Sequence, residues 1–159
     1  MNAHALIGLG ANLGDAHQTI LDAVKALEAA SGIFYLQRSR LYASDPVDAQ
    51  GPVFINAVAS IETTLAPIQL LDLLQSIENT HGRARPYRNA PRTLDLDLLW
   101  YDGIAITTPR LILPHPRMHQ RAFVLEPLKE LVPDFQLPQG SIDVLLKTCS
   151  DQKIWLLQE

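Results

Sequence analysis

The sequence predicts a ferredoxin-like α+β sandwich, a βαββαβ unit with a mainly antiparallel sheet, helices packed on one face, and a C-terminal extension. Three observations predict it. Two β-α-β orders follow one another within 159 residues, a length that suits a single domain over 1–159. Both helical stretches carry an apolar stripe at helical spacing, as helices laid on a sheet do. One long strand alternates apolar and polar positions. A doubly wound parallel sheet is the competing arrangement for the same element order.

Residues 4–9 are short and apolar and form the first strand. The turn Gly10-Ala11-Asn12-Leu13-Gly14-Asp15 follows, with Asp15 as helix N-cap and Gln18 three residues on, a capping-box pattern. Ile20, Ala23, Val24, Leu27 and Ala30 recur at helical spacing, and Gly32 stands where a C-terminal glycine belongs. Residues 33–42 are a second strand, and 43–52, with two prolines, two aspartates and a glycine, are a long loop. From Val53, the positions Val53, Ile55, Ala57, Ala59 and Ile61 take one face of a strand, and Phe54, Asn56, Val58 and Ser60 the other. A second helix starts at Pro67, runs through Leu71, Leu74, Ile77 and Glu78, and closes at Gly82. The aperiodic stretch 83–92 leads into a strand over 93–101, with Asp102-Gly103 as a hairpin turn. Short strands at 104–106 and 110–113 and helical segments at 117–131 and 141–148 complete the chain.

Thirteen Lys and Arg against seventeen Asp and Glu give a net charge of −4. That argues against a general nucleic-acid binder or a polybasic membrane-surface protein. The composition, 47% hydrophobic and 19% charged, is ordinary for a globular domain. The single cysteine, Cys149, rules out an internal disulfide framework and fits a reducing cytoplasm. Residues 1–14 hold no Lys or Arg, unlike a secretory leader. No apolar run approaches a bilayer span. The mean charge conceals an uneven distribution. Residues 83–121 hold seven of the nine arginines against three acids, a local +4, and no lysine occurs between Lys25 and Lys129.

The candidate chemistry centres on Asp95-Leu96-Asp97. Residues two apart on a strand share a face, so both carboxylates project together while Leu94, Leu96 and Leu98 point the other way. Oxygen ligands of this kind suit Mg²⁺, which takes one or two carboxylates and completes its shell with water and phosphate oxygens. Arg83, Arg85, Arg88 and Arg92 stand just ahead, and a guanidinium fork matches phosphate oxygens. A solvated strand face and a solvated charged loop are the plain structural alternatives; the adjacency of the two is what polyphosphate transfer needs. Phe54 and Asn56 share a strand face, an aromatic platform beside an amide, suited to a flat heteroaromatic ring. Gly8, Gly10 and Gly14 are one residue too long for a dinucleotide fingerprint and are expected to form a tight strand-to-helix turn. His115 and His119 are four apart, but prolines flank the first and no cysteine is near, so a phosphate or nucleotide contact by His115 fits better than zinc.

Arg88-Asn89-Ala90-Pro91-Arg92-Thr93-Leu94-Asp95-Leu96-Asp97-Leu98-Leu99 resembles the signature of the 6-hydroxymethyl-7,8-dihydropterin pyrophosphokinases. The likeness extends to the opening IGLGANLGD, to Phe54-Ile55-Asn56-Ala57, to the helix ending in Glu78, and to Leu113-Pro114-His115-Pro116-Arg117-Met118 through Arg121 and Phe123. The resemblance implies an ATP-dependent diphosphotransferase of folate biosynthesis, moving the pyrophosphoryl group of ATP to the hydroxymethyl group of the dihydropterin and releasing AMP. It implies two Mg²⁺ ions held by Asp95 and Asp97, with Arg83 and Arg92 as the catalytic arginines. It places the pterin against Ser44, Val47, Phe54, Asn56 and Phe123, and ATP against Glu78, Arg85, Arg88, Leu98, Arg110, His115 and Arg121. The expected partners are these two small molecules, without nucleic acid or membrane, for a cytoplasmic monomer. The chain departs from the family's usual pattern in a loop one residue shorter between Arg85 and Pro91, in Asn89 where a Trp is common, and in Pro116 where some members have an aromatic. A non-catalytic ferredoxin-like module binding a nucleotide or metabolite for regulation is the rival from another class, and a Mg²⁺-dependent nuclease a lesser one.

Overall fold

The computed structural model describes residues 2–12, 15–45, 53–81 and 94–157. In chain order the elements are β1 (Ala3–Ala11), α1 (Ala16–Ala29), β2 (Ile33–Arg38), β3 (Tyr42–Ser44), β4 (Phe54–Thr63), α2 (Pro67–His81) and β5 (Asp95–Tyr101). Then come β6 (Ile106–Thr107), β7 (Ile112–Leu113), a 3-10 turn (Met118–Gln120), α3 (Ala122–Leu131), β8 (Gln136–Leu137), β9 (Gly140–Ser141), α4 (Ile142–Thr148) and β10 (Ile154–Leu156). The main sheet runs β5, β1, β4, then β2 and β3 end to end along β4, with β10 outside β3, and every pairing is antiparallel. This is the ferredoxin-like order; the parallel alternative is excluded.

The two helices of the βαββαβ unit cover one face of the sheet, as expected. Ile20, Ala23, Val24 and Leu27 of α1 and Leu70, Leu74 and Ile77 of α2 pack on Ile7, Leu9, Ile55, Ala57, Ala59, Ile61, Leu96 and Leu98. Asp15 caps α1 by accepting from the Gln18 N–H at 3.2 Å, while the Gln18 side chain turns forward to Asp22 at 2.8 Å rather than back to the cap. Gly32 has φ +87, and a Cβ there would lie 2.9 Å from Leu65, so both backbone and space require glycine.

The opposite face is not bare. The C-terminal extension folds back over it, so that Met118, Val124, Leu125, Leu128, Ile142 and Leu145 pack on Leu6, Val58 and Leu99. A register shift sets Leu6 opposite Trp100 and Ile7 opposite Leu98. The extra residue, Leu99, makes a β-bulge that turns both Leu99 and Trp100 toward this second core. Trp100 there meets Phe135 edge-on, with ring centroids 5.4 Å apart.

Several expected boundaries shift. The strand over 33–42 is broken at Ser39, whose Oγ accepts from the Val58 N–H at 3.0 Å and donates to the Arg40 carbonyl at 2.8 Å. Residues 43 and 44 belong to β3 rather than to the loop, and Val53 precedes β4 and is 40% exposed. Asp102 and Gly103 do turn, both with positive φ, but β6 pairs with β7 and not with β5. The helix expected over 117–131 is two pieces separated by Arg121. Gly8 and Gly10 lie inside β1 rather than in a turn, and Gly14 falls outside the described residues. Among the described residues, no helix is long and apolar enough to cross a membrane.

Candidate active site

The site forms at one end of the sheet, beneath the start of α3. Register brings its parts into line. Asn56 of β4 and Asp95 of β5 both pair with Gly10, and Val58 and Asp97 both pair with Gly8. Because residues two apart share a face, Asp95 and Asp97 face the α3 side together, and Leu94, Leu96 and Leu98 enter the opposite core. The shared-face expectation for the two acids thus holds. Neither glycine needs a glycine-only backbone, since neither has positive φ. Their value is the missing side chain: an added Cβ would meet Leu99 at 3.4 Å from Gly8 and Asn56 Oδ1 at 3.5 Å from Gly10.

The resulting cavity of about 190 Å³ is lined by Ser44, Phe54, Asn56, Asp95, Asp97, Arg121 and Phe123 over the floor of Gly8 and Gly10. That volume lies below the roughly 300 Å³ at which drug-sized sites begin. Asn56 is 3% exposed, and its Nδ2 donates to Ser44 Oγ at 2.8 Å. With the amide nitrogen so engaged, its orientation is set before any ligand arrives. Phe54 comes from β4 and Phe123 from the first turn of α3, so the rings enter from different layers. The Arg121 guanidinium carbon stands 5.4 Å from the Phe123 ring centroid, and its Nη1 is 3.9 Å from Asp97 Oδ2.

A second hollow of about 260 Å³ joins the first at Asp97 and is lined also by Leu98, Arg110 and His115. Arg110 is held there from α2, in a close ion pair with Asp72 and a 2.9 Å hydrogen bond to Gln75. His115 Nδ1 accepts from the Arg117 N–H at 3.1 Å, which leaves Nε2 to carry the proton of the neutral ring. Burial lowers the His115 pKa below its ordinary value; Asp97 opposes that shift, and Arg121 and Arg117 add to it.

Glu78 takes a different place. Its Oε2 accepts the Leu96 N–H at 2.8 Å, satisfying the outer edge of β5 between the two acids. Glu78 therefore holds the strand that carries the carboxylates. Further along α3, Glu130 ties that helix to the start of β3 and the residues just before it. It accepts from the Arg40 N–H and the Tyr42 hydroxyl, both at 2.8 Å, and from Arg40 Nε at 3.1 Å. Burial and the Glu130 contact push the Tyr42 phenol up to about 12. Burial alone would raise the Glu130 carboxyl, but the hydrogen bonds from Arg40 and Tyr42 hold it below the usual carboxylate range.

Thus Ser44, Phe54, Asn56, Phe123, Asp95, Asp97 and Arg121 share one cavity, and Leu98, Arg110 and His115 share its neighbour. Arg83, Arg85, Arg88, Arg92 and Val47 lie outside the described residues, as does Asn89. Sequence reasoning missed the floor glycines. Their signal was the spacing of two, which puts both on one strand face; spacing as a loop motif hid it.

The carboxylates are open to the cavity, Asp97 with 44% of its side chain exposed. Among the described residues no three His, Cys, Asp or Glu side chains gather as metal donors. A pair of oxygen donors without a closed protein cage fits Mg²⁺ carried in with a polyphosphate rather than a buried structural metal.

Fold and site together define a ferredoxin-like domain with a small aromatic and carboxylate cavity opening onto a hollow with basic side chains, the form of a phosphate-transferring small-molecule enzyme. Residues 6–133 match the family model of 7,8-dihydro-6-hydroxymethylpterin-pyrophosphokinase (HPPK). The chain is 45% identical over 145 residues to the 2-amino-4-hydroxy-6-hydroxymethyldihydropteridine pyrophosphokinase of Pseudomonas aeruginosa, covering 90% of each. It is 43% identical over 152 residues to that of Haemophilus influenzae, covering 94% of this chain and 95% of the relative. The chain belongs to the HPPK family. A solved HPPK-DHPS in complex with substrates shares the fold, with TM-score 0.73 at 12% identity over 92% of this chain; this chain spans 43% of that one.

Proposed function

We propose that this chain transfers the pyrophosphoryl group of ATP to 6-hydroxymethyl-7,8-dihydropterin in folate biosynthesis. The observation that carries the reading is Asp97, which lines both the Phe54–Asn56–Phe123 cavity and the Leu98–Arg110–His115 hollow. The pterin lies in the first, its ring between Phe54 and Phe123 and its edge read by Asn56, with Ser44 and Val47 beside it. ATP lies across the second, against Leu98, Arg110 and His115, with Arg121, Arg85, Arg88 and Glu78 nearer its phosphates or their strand. The acceptor hydroxyl and the polyphosphate then meet over the two carboxylates.

Asp95 and Asp97 would hold Mg²⁺, two ions in this reading, which would supply charge neutralisation on the phosphate oxygens. The hydroxymethyl oxygen attacks the β-phosphorus of ATP in line; the new O–P bond forms as the bond to the α-phosphate oxygen breaks, AMP leaves, and the hydroxyl proton passes to solvent. Arg121, Arg83 and Arg92 neutralise charge at the phosphates. The Ser44-fixed amide and the two rings orient the acceptor, which is where positioning lowers the barrier. No side chain is required as a strong base, since phosphoryl transfer proceeds mainly through positioning and electrostatics.

Residues 1–159 work as a single domain, a monomer in the cytoplasm. Strands drawn from residue 3 to residue 156 in one sheet support the first point, and a lone, buried cysteine agrees with a reducing compartment. Incubation with ATP, Mg²⁺ and the dihydropterin, with AMP as readout, tests the activity. AMP formation that depends on both the pterin and Mg²⁺ is expected. Binding of ATP without AMP release would return the protein to the regulatory class.

A further inference from the structure

We propose that Gln152 is a positioning residue for Arg121, gripping the peptide on both sides of it with one side-chain amide. Gln152 lies outside residues 6–133, the segment matched by the family model. The proposal rests on the reading of Arg121 as a phosphate contact.

Arg121 is a single extended residue, φ −121 and ψ 107, between the 3-10 turn that ends at Gln120 and the helix that begins at Ala122. It occupies the N-cap of α3 yet makes no side-chain cap hydrogen bond. The orphan N–H of Ala122 donates instead to Gln152 Oε1 at 2.8 Å. The same amide donates through Nε2 to the Gln120 carbonyl, also at 2.8 Å. A carboxamide carries one acceptor and two donors at a fixed spacing, so it can hold an N–H and a C=O on either side of one residue.

Gln152 is itself anchored at both ends. Its N–H donates to the Cys149 carbonyl at 2.9 Å, and Cys149 is buried in the second core. Two residues further on, Ile154 enters the sheet opposite Ser44, the partner of Asn56. The strap over 149–156 thus reaches the Arg121 side and the Ser44 side of the same cavity. The Arg121 N–H also donates to the Met118 carbonyl at 3.3 Å, and the Arg121 carbonyl accepts from the Val124 and Leu125 N–H groups at 3.0 Å, so Gln152 completes the hold on both flanking peptides and on the two backbone dihedrals between them. The Arg121 guanidinium is then aimed between the Phe123 ring and Asp97. Released, a small rotation at that one residue is amplified along a long side chain.

The test is a double-mutant cycle in steady-state turnover, corrected for the folded fraction by thermal melting. Gln152→Met keeps the bulk and removes both hydrogen bonds; it is expected to lower kcat about ten-fold in the presence of Arg121. In an Arg121→Ala background the same change is expected to cost less than about two-fold. Gln152→Leu, which also removes both hydrogen bonds without adding a charge, is expected to match the Met variant and replaces it in the cycle should that variant not fold. An equal loss with and without Arg121 overturns the proposal, as does wild-type kcat in Gln152→Met when Arg121→Ala is impaired. Wild-type turnover in Arg121→Ala itself rejects the phosphate-contact reading, and the proposal goes with it.

Discussion

Asn56 and Asp95 pair with the same residue, Gly10, from opposite sides of β1. Two strand spacings separate them, roughly 10 Å. The amide and the carboxylate therefore stand at the two ends of one flat floor whose middle is bare backbone. A planar ligand read by Asn56 at one edge reaches toward Asp95 with the other. Gly10→Val puts a branched side chain onto that floor, next to Asn56 Oδ1. We expect the KM for the dihydropterin to rise about ten-fold or more, equivalent to about 1.4 kcal/mol of lost binding, with little change in melting temperature. Unchanged KM in a folded Gly10→Val protein would remove the ligand from this floor.

The two rings make a different demand. Stacking of a base-like ring on an aromatic side chain is worth about 1–3 kcal/mol, so Phe54→Ala should weaken pterin binding by about five- to a hundred-and-fifty-fold. ATP binding, in the neighbouring hollow, should change far less. Titration calorimetry of each ligand separately measures the ratio. Equal losses for both ligands would take Phe54 out of the pterin cavity.

The paired acids and the shared face of Phe54 and Asn56 were legible in the sequence, because each depends on a local spacing. The succession of strands and helices was legible too, but their spacing left a parallel sheet open, and the pairing order came from contacts distant in sequence. What was not legible depends on long-range contact. The second core required Met118, Leu125 and Leu128 to find Leu6 and Val58 across the sheet, and no period in 117–148 states which face of which sheet it covers. Gly8 and Gly10 looked like turn glycines because glycine signals a bend more often than a vacant floor. Glu78 carried no sign that its partner would be the Leu96 N–H, an edge group exposed only once β5 is the last strand. The strap that meets Arg121 lies about thirty residues away in sequence, beyond reach of any local pattern.

Asp95→Asn and Asp97→Asn keep shape and remove charge. Each should lower kcat by about a hundred-fold or more, since the charge on the phosphates is left uncompensated. Stability should hardly move for Asp97→Asn. Its ion pair with Arg121 spans 3.9 Å between partly exposed groups, and pairs of that kind contribute about 0–1 kcal/mol. Turnover near wild type in both variants, with folding intact, would refute the assignment of these acids to the metal.

The Glu130 clamp makes stability depend on pH at both ends of the scale, in opposite senses. Glu130 is held below its ordinary value of 4.5, so its contribution is present above that pH and is lost as pH falls through the lower folded value. Tyr42 is pushed from 10 up to about 12, so the fold favours the neutral phenol; that contribution is complete below pH 10 and is lost as pH rises toward 12. Thermal midpoints of wild type, Glu130→Gln and Tyr42→Phe across pH separate the two. The gap between wild type and Glu130→Gln should close as pH falls below about 4. The gap between wild type and Tyr42→Phe should close between pH 10 and 12. A Tyr42→Phe gap that widens over the alkaline range would mean that Tyr42 is bound as the phenolate, and the hydroxyl could not then be donating to Glu130.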